Sequence, residues 1–198
     1  CNLTEIVVRA EDTLESLKRK ARLATILGTI QSTFTDFRYV RSVWKRNAEE
    51  ERLLGVSLTG IYDSQLLSGP TAAAVLRELR EWCVEVNAQF ADSLGINRSV
   101  AITTVKPSGT VSQLVNSASG IHPRHSSYYI RSFRQDNKDP LTQFMRDAGV
   151  PHEPCVLKPD STTVFFFPVA APEGAVTRDQ VDAVSHLNLW KEYNTHWA

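Results

Sequence analysis

The chain has 198 residues, 42% hydrophobic and 22% charged, which suits a folded chain with a real core and argues against disorder. Lysine plus arginine and aspartate plus glutamate balance at 22 each, which speaks against a global basic face for duplex nucleic acid but leaves room for a local anion site. No apolar run approaches the roughly 20 residues a bilayer requires, the opening residues do not read as a signal peptide, and Cys1, Cys83 and Cys155 are too few and too scattered for a disulfide framework, so a reduced, cytoplasmic setting is expected.

Asp12-Thr13, followed by Glu15 and the apolar series Leu14, Leu17, Ala21, Ala24 and Leu27, predicts a capped amphipathic helix. GVSLTGIYD, from Gly55 to Asp63, is short, alternating and bounded by glycine, and its core predicts a strand. Ser68-Gly69-Pro70 predicts the opening of a second helix, with Leu76, Leu79, Cys83, Val86 and Phe90 on its buried face and Gly95 at its end. SVAITTV, from Ser99 to Val105, is β-branched and apolar and predicts a buried strand that runs into a glycine-rich turn. SSYYIRSFR predicts a strand with Tyr128, Ile130 and Ser132 on one face. Pro140 to Ala148 predicts a short helix closed by Gly149, and TTVFFFPV a strand covered on both sides. Thr177 and Gln180 form a capping box ahead of a last helix carrying Val181, Val184, Leu187, Trp190, Tyr193 and Trp197. The charged stretches Asn47 to Arg52 and Arg134 to Asp139 read as solvated loops or helix faces. Helices and buried strands alternate without an internal repeat or a linker, which predicts an α/β architecture.

The stretch TTVKPSGTVSQLVNSASG, from Thr103 to Gly120, combines bare backbone with many hydroxyl groups. A strand ending in Ser-Gly-Thr can turn its next amides toward one point. Gly109 permits a positive φ and close approach of a ligand. A helix starting near Thr110 would add its free N–H groups and positive dipole end. Ser108, Thr110 and Ser112 offer hydroxyl donors, and Lys106 stands nearby. Such a cradle suits phosphate. A plain tight turn is the competing reading, and the spacing is not that of a P-loop.

The longer run VAITTVKPSGTVSQLVNSASGIHPRHSSYYIRSFR closely resembles the C-terminal part of the catalytic barrel of ribonucleotide reductases, above all the adenosylcobalamin-dependent, monomeric, triphosphate-using type. GVSLTGIYD, FFFPVAAPEGAVTRDQ and LWKEYNTHW resemble neighbouring blocks of that family in the same order, and CNLTEI resembles the segment after its radical-bearing finger loop. The resemblance implies that residues 1–198 are the C-terminal portion of a ten-stranded α/β barrel. It implies that the Pro-Ser-Gly-Thr turn, here Pro107, Ser108, Gly109 and Thr110 with Ser112, holds the substrate's phosphates. It implies that Cys1, in its Cys-Asn-Leu context, is one of the two thiols that reduce the ribose 2′ carbon. Two thiols are needed because two reducing equivalents must reach a carbon radical in a site closed to water.

The implied activity converts ribonucleoside triphosphates to deoxyribonucleotides. Adenosylcobalamin generates a thiyl radical on an upstream cysteine, and thioredoxin or a similar dithiol supplies electrons. The family's Asn-Pro-Cys-Gly-Glu segment, the first reducing cysteine and the C-terminal cysteine pair do not occur here, and NLTEI has Thr4 where another class would carry its cysteine. The chain is therefore expected to be a fragment, inactive alone and dependent on the N-terminal remainder of the enzyme. Its start at cysteine suits the residue that follows an intein junction, and equally a truncated reading frame.

Two other classes compete. One is an N-terminal nucleophile hydrolase with Cys1 as nucleophile and its α-amine as base. The other is a stand-alone module for nucleotide phosphate. His122 and His125 flank Arg124, but Pro123 interrupts any helix that would align them and no acidic third ligand is near, so no metal site is read there and they are taken as turn residues at the barrel mouth. Cys83 falls on a buried helix face, Cys155 reads as structural or incidental, and Trp190, Tyr193 and Trp197 look like an aromatic docking stripe.

Overall fold

A β-α-β pattern opens the structure, a computed structural model that describes residues 2–198; Cys1 lies outside the described residues. The chain divides into two units, one running to Arg124 and resuming over Val176–Ala198, the other spanning His125–Ala175.

In the first unit β1 (Asn2–Val7) pairs in parallel with β2 (Leu54–Thr59), Asn2 opposite Leu54 and Val7 opposite Thr59. A parallel pair needs a long crossover, and α1 (Leu14–Gln31) and α2 (Ser42–Glu51) supply it. Thr13 caps α1 as predicted, through a reciprocal box with Ser16. Leu17, Ala21 and Ala24 are buried as predicted, whereas Leu27 is exposed, because Thr25, Gly28 and Thr29 take the inward positions of that turn. Gly28 is there because a Cβ would stand 3.0 Å from the Leu54 side chain.

All six residues of β2 are buried. The predicted strand stops at Thr59; Gly60 adopts φ 85°, and Ile61–Asp63 form a single 3-10 turn. After the short α3 (Gln65–Ser68), α4 (Ala72–Leu94) begins two residues beyond Pro70 and ends, as predicted, on Gly95 in the left-handed region. Leu76, Leu79, Cys83 and Val86 are buried on its inner face and Phe90 is half-buried. Asn87 is buried too, its side-chain amide donating to the Thr29 and Ser99 hydroxyls, both at 2.9 Å, while its carbonyl accepts the Ser99 amide at 2.9 Å.

The segment from Ser99 to Val105 is extended along β2, but it is an irregular edge and not the regular buried strand that was predicted. Leu54 donates to the Ala101 carbonyl and Val56 to the next one, Ile102, so the ladder slips by a residue, and Val56–Thr103 is an isolated bridge. Ile102 is buried and Val100 exposed.

The capping box of Thr177 and Gln180 exists, yet it closes only the 3-10 turn Arg178–Gln180. The last helix among those described, α7 (Ala183–His196), is capped separately by Asp182, after α5 (Thr110–Leu114) and α6 (Pro140–Asp147) earlier in the chain. Val181 therefore lies outside it. Val184 and Leu187 are exposed, and Leu189, Tyr193 and Trp197 enter the core instead. Only Trp190 of the predicted docking stripe is half-exposed. Tyr193 donates its hydroxyl to the Leu67 carbonyl at 3.0 Å, and Trp197 its indole N–H to the Thr104 carbonyl at 3.0 Å. Each buried side chain of this size contributes about 1.5–3 kcal/mol of burial, and with them α7 fastens the Thr103–Thr104 edge.

In the second unit β5 (Thr162–Ala170) is central, antiparallel to β3 (Tyr128–Asp136) along its whole length and to β4 (His152–Pro154) over Thr163–Phe165 only. Hence only Thr163, Val164 and Phe165 of β5 are buried, and the double-sided cover predicted for the whole run is confined to its first half. Asp139 caps α6, which ends ahead of Gly149 as predicted. Among the described residues no helix is long and apolar enough to cross a membrane.

Candidate functional site

The Ser108–Ser112 turn follows the edge segment that lies along β2. Pro107, Gly109 and Thr110 are exposed; Ser108 and Ser112 are buried. α5 begins at Thr110, as predicted. Among the described residues, the amides of Gly109, Thr110, Val111 and Ser112 have no hydrogen-bond acceptor. A Cβ built on Gly109 would meet nothing within 4 Å, so the space above this backbone is open.

The glycine chemistry differs from expectation. Gly109 has φ −93° and does not use the left-handed region. Gly120 does, at φ 56°, and a Cβ there would come 3.1 Å from the Lys106 carbonyl. The close backbone approach is thus made by the chain to itself at Gly120, which seats the end of the stretch against its start.

The hydroxyls are also differently used. Ser108 donates to Glu5 Oε2 at 3.0 Å. Ser112 donates back to the Gly109 and Ser108 carbonyls, at 2.8 and 3.2 Å. Ser119 donates to the Ser108 carbonyl. Of the three proposed hydroxyl donors, Thr110 alone is exposed and has no hydrogen-bond partner among the described residues. Lys106 turns its ammonium onto the Pro107 carbonyl at 3.2 Å.

The loop that follows the turn is held by a buried ion pair that sequence reasoning missed. Arg124 Nε and Nη2 donate to Asp63 Oδ1 and Oδ2 at 3.0 and 2.9 Å, with 9% and 12% of the two side chains exposed. The guanidinium also donates to Asn116, at 2.9 Å to Oδ1 and 2.9 Å to the carbonyl. Asp63 Oδ2 accepts the Ala118 amide at 2.7 Å. Arg9, just beyond β1, donates to the Val115 and Asn116 carbonyls at 2.6 and 3.1 Å. The one sequence signal was a charged residue inside the turn-rich HPRH segment; nothing in the order of residues pairs Asp63 with Arg124.

His122 and His186 rings meet edge to face at 5.3 Å, and Tyr62 meets His186 at 6.0 Å. Burial, with His186 adding to it, holds the His122 ring below the ordinary histidine range. Burial, then Asp182, raises the Tyr62 phenol. Cys83 is fully buried, its thiol pushed up to about 11 by loss of solvent. The Cys155 thiol is pulled down by the amides of Leu157 and Lys158 and, less, by Arg134. Cys1, the residue read as a reducing thiol, lies outside the described residues.

No protein-family model matches the chain. An adenosylcobalamin-dependent ribonucleoside-triphosphate reductase of Euglena gracilis is 31% identical over 206 residues, covering 100% of this chain and 27% of the relative. One of the same name from Lactobacillus acidophilus is 26% identical over 193 residues, covering 84% of this chain and 26% of the relative. The crystal structure of a B12-dependent (class II) ribonucleotide reductase superposes with a TM-score of 0.77 and 24% identity over 100% of this chain and 31% of that one. The chain spans about a quarter of the length of the curated relatives it matches. It is thus homologous, from end to end, to one segment of the adenosylcobalamin-dependent ribonucleoside-triphosphate reductases, and it carries part of the α/β barrel fold of class II ribonucleotide reductases.

Proposed function

We propose that this chain is the C-terminal barrel segment of an adenosylcobalamin-dependent ribonucleoside-triphosphate reductase, working in the cytoplasm with the N-terminal remainder of that enzyme. Its task is to hold the phosphates of a ribonucleoside triphosphate and to contribute one reducing thiol. The observation that carries the reading is the set of four acceptor-free amides at Gly109–Ser112, in a turn open to solvent, within a chain related along its whole length to these reductases. Backbone dipoles bind phosphate without net charge, which suits a chain whose charges balance. Thr110 adds an exposed hydroxyl with no partner among the described residues.

The chemistry asked of Cys1 balances with a second cysteine from elsewhere in the enzyme. The ribose 2′ carbon loses its hydroxyl as water and gains hydrogen. The two thiols give up two electrons and two protons and become a disulfide. Thioredoxin or a similar dithiol restores them by exchange.

The cavity of about 550 Å³ beside β1 and α1, lined by Glu5, Arg9, Lys20 and Leu23 among others, has the size of a small-ligand cleft. So has the groove of about 400 Å³ at Phe34, Phe37 and Trp44. The cobalamin contacts are assigned largely to the rest of the enzyme, as the family resemblance implies.

The test is turnover of CTP by the whole enzyme carrying this chain, with adenosylcobalamin and a dithiol. Turnover is expected for the wild type and abolished in Cys1→Ser, which keeps size but cannot form a disulfide. Turnover of Cys1→Ser at the wild-type rate would overturn the role of Cys1. CTP binding no tighter than cytidine binding would overturn the phosphate site.

A further inference from the structure

We infer that Asp63 and Arg124 are positioning residues: their buried ion pair fixes the 115–120 loop that braces the Ser108–Ser112 turn, and so sets the direction of the amides that receive phosphate. The inference rests on the phosphate reading above and names the part of the fold that makes it work.

A buried ion pair is weak evidence for stability, because desolvation of two charges offsets much of their attraction. What distinguishes this pair is where its remaining hydrogen-bonding capacity goes. Arg124 grips both the side chain and the carbonyl of Asn116, whose backbone lies in the left-handed region at φ 47°. Asp63 takes the amide of Ala118. The two charged groups therefore hold the chain on either side of Ser117. Arg9 grips Val115 and Asn116 independently from the end of β1.

The loop is also sewn to the end of β2. Gly60 donates to the Ala118 carbonyl at 2.8 Å, the Thr59 hydroxyl donates to the same oxygen at 3.0 Å, and the Gly120 amide donates to the Thr59 hydroxyl at 2.9 Å. From this fixed loop two struts reach the turn. The Ser117 amide donates to the Ser112 carbonyl at 2.9 Å, and the Ser119 hydroxyl donates to the Ser108 carbonyl. The free amides of residues 109–112 lie between those struts. Their orientation thus follows from a lattice whose charged node is Asp63–Arg124. A fork that satisfies a carboxylate and a backbone carbonyl together requires guanidinium and not ammonium.

The test compares equilibrium binding of CTP and of cytidine to the whole enzyme carrying this chain, for wild type, Arg124→Lys, Asp63→Asn and Ser119→Ala. Arg124→Lys keeps the charge and loses the fork; Ser119→Ala cuts one strut and leaves the ion pair intact, so it decides the matter if the charge variants do not fold. The expected result is CTP affinity lower by about tenfold or more, as small displacements at a positioned site cause, with cytidine affinity unchanged. If folded variants keep the wild-type preference for CTP over cytidine, or lose both ligands equally, the pair does not position the turn. If the wild type itself shows no preference for CTP, it is the phosphate reading that fails.

Discussion

Ser108 donates its hydroxyl to Glu5 at 3.0 Å, a bond that spans 103 residues of sequence and ties the turn to the strand that follows Cys1. The other carboxylate oxygen, Glu5 Oε1, is buried without a partner among the described residues. Among the described residues, Ser108 is therefore the one hydrogen-bond partner of a half-buried carboxylate. Removing it in Ser108→Ala leaves both oxygens unsatisfied and is expected to cost about 1–3 kcal/mol, the penalty for orphaned buried polar groups. Glu5→Gln keeps a carbonyl to accept the bond and is expected to cost less than Ser108→Ala. Urea unfolding midpoints at constant slope check the order; a reversed order would mean that the pair is not a stabilising contact.

The opposite behaviour is expected at Gly109 and Thr110. Both are exposed, and a Cβ on Gly109 finds open space. Gly109→Ala and Thr110→Ala should therefore leave the unfolding midpoint within about 1 kcal/mol of wild type. Yet the first narrows the approach to the amides and the second removes the exposed hydroxyl. Each is expected to weaken CTP binding to the whole enzyme several-fold while leaving cytidine binding alone. Unchanged CTP affinity in both variants would count against ligand approach at this turn.

Much of the local scaffold is legible in the order of residues because its causes are local. Thr13 announces α1, Gly95 ends α4, and Asp139-Pro140 open α6, since caps and fixed dihedrals act within a few residues. The Ser108–Ser112 turn is legible for the same reason, as an extended segment, a Ser-Gly-Thr corner and a short helix. Helix phase at the end of the chain is not. Nothing local decides that Tyr193 and Trp197 face inward while Val184 and Leu187 face out; the packing of α7 against α4 and the Thr104 carbonyl decides it. The supports of the site are equally hidden. Asp63 and Arg124 stand 61 residues apart, and which glycine takes the positive φ depends on the Lys106 carbonyl that folds over Gly120.

Two glycines with positive φ separate conformational need from crowding. Gly60, at φ 85°, has no room for a Cβ, which would stand 2.5 Å from the Val8 carbonyl, a backbone atom that cannot swing aside. Gly95, at φ 67°, would place its Cβ in open space. Gly95→Ala is expected to cost about 1 kcal/mol, the left-handed penalty alone. Gly60→Ala carries that penalty plus a shift of β1 against the end of β2, and is expected to cost more than twice as much. Because Gly60 also donates to the loop at Ala118, its variant should lose CTP affinity as well, whereas Gly95→Ala should not. Equal effects of the two substitutions on both measurements would show that the crowding at Gly60 relaxes freely.

One part of the acid sensitivity between pH 7.5 and 5.5 is expected at His122. Its ring is held below the ordinary histidine range by burial first and by His186 second. The folded chain therefore takes up this proton at lower pH than the unfolded chain, whose histidine titrates near 6.5. Unfolded molecules bind more protons in that window, so the contribution is fully present above about pH 6.5 and is lost as pH falls from there through the lower folded value. The His122 side chain as a whole is exposed, so the loss of solvent around its ring is partial and the effect modest. His122→Gln, which does not titrate, removes this slope while the other groups continue to titrate. The urea midpoint of wild type is thus expected to fall more between pH 7.5 and pH 5.5 than that of His122→Gln. Parallel profiles for the two proteins would place the acid sensitivity elsewhere and leave the His122–His186 contact without a role in it.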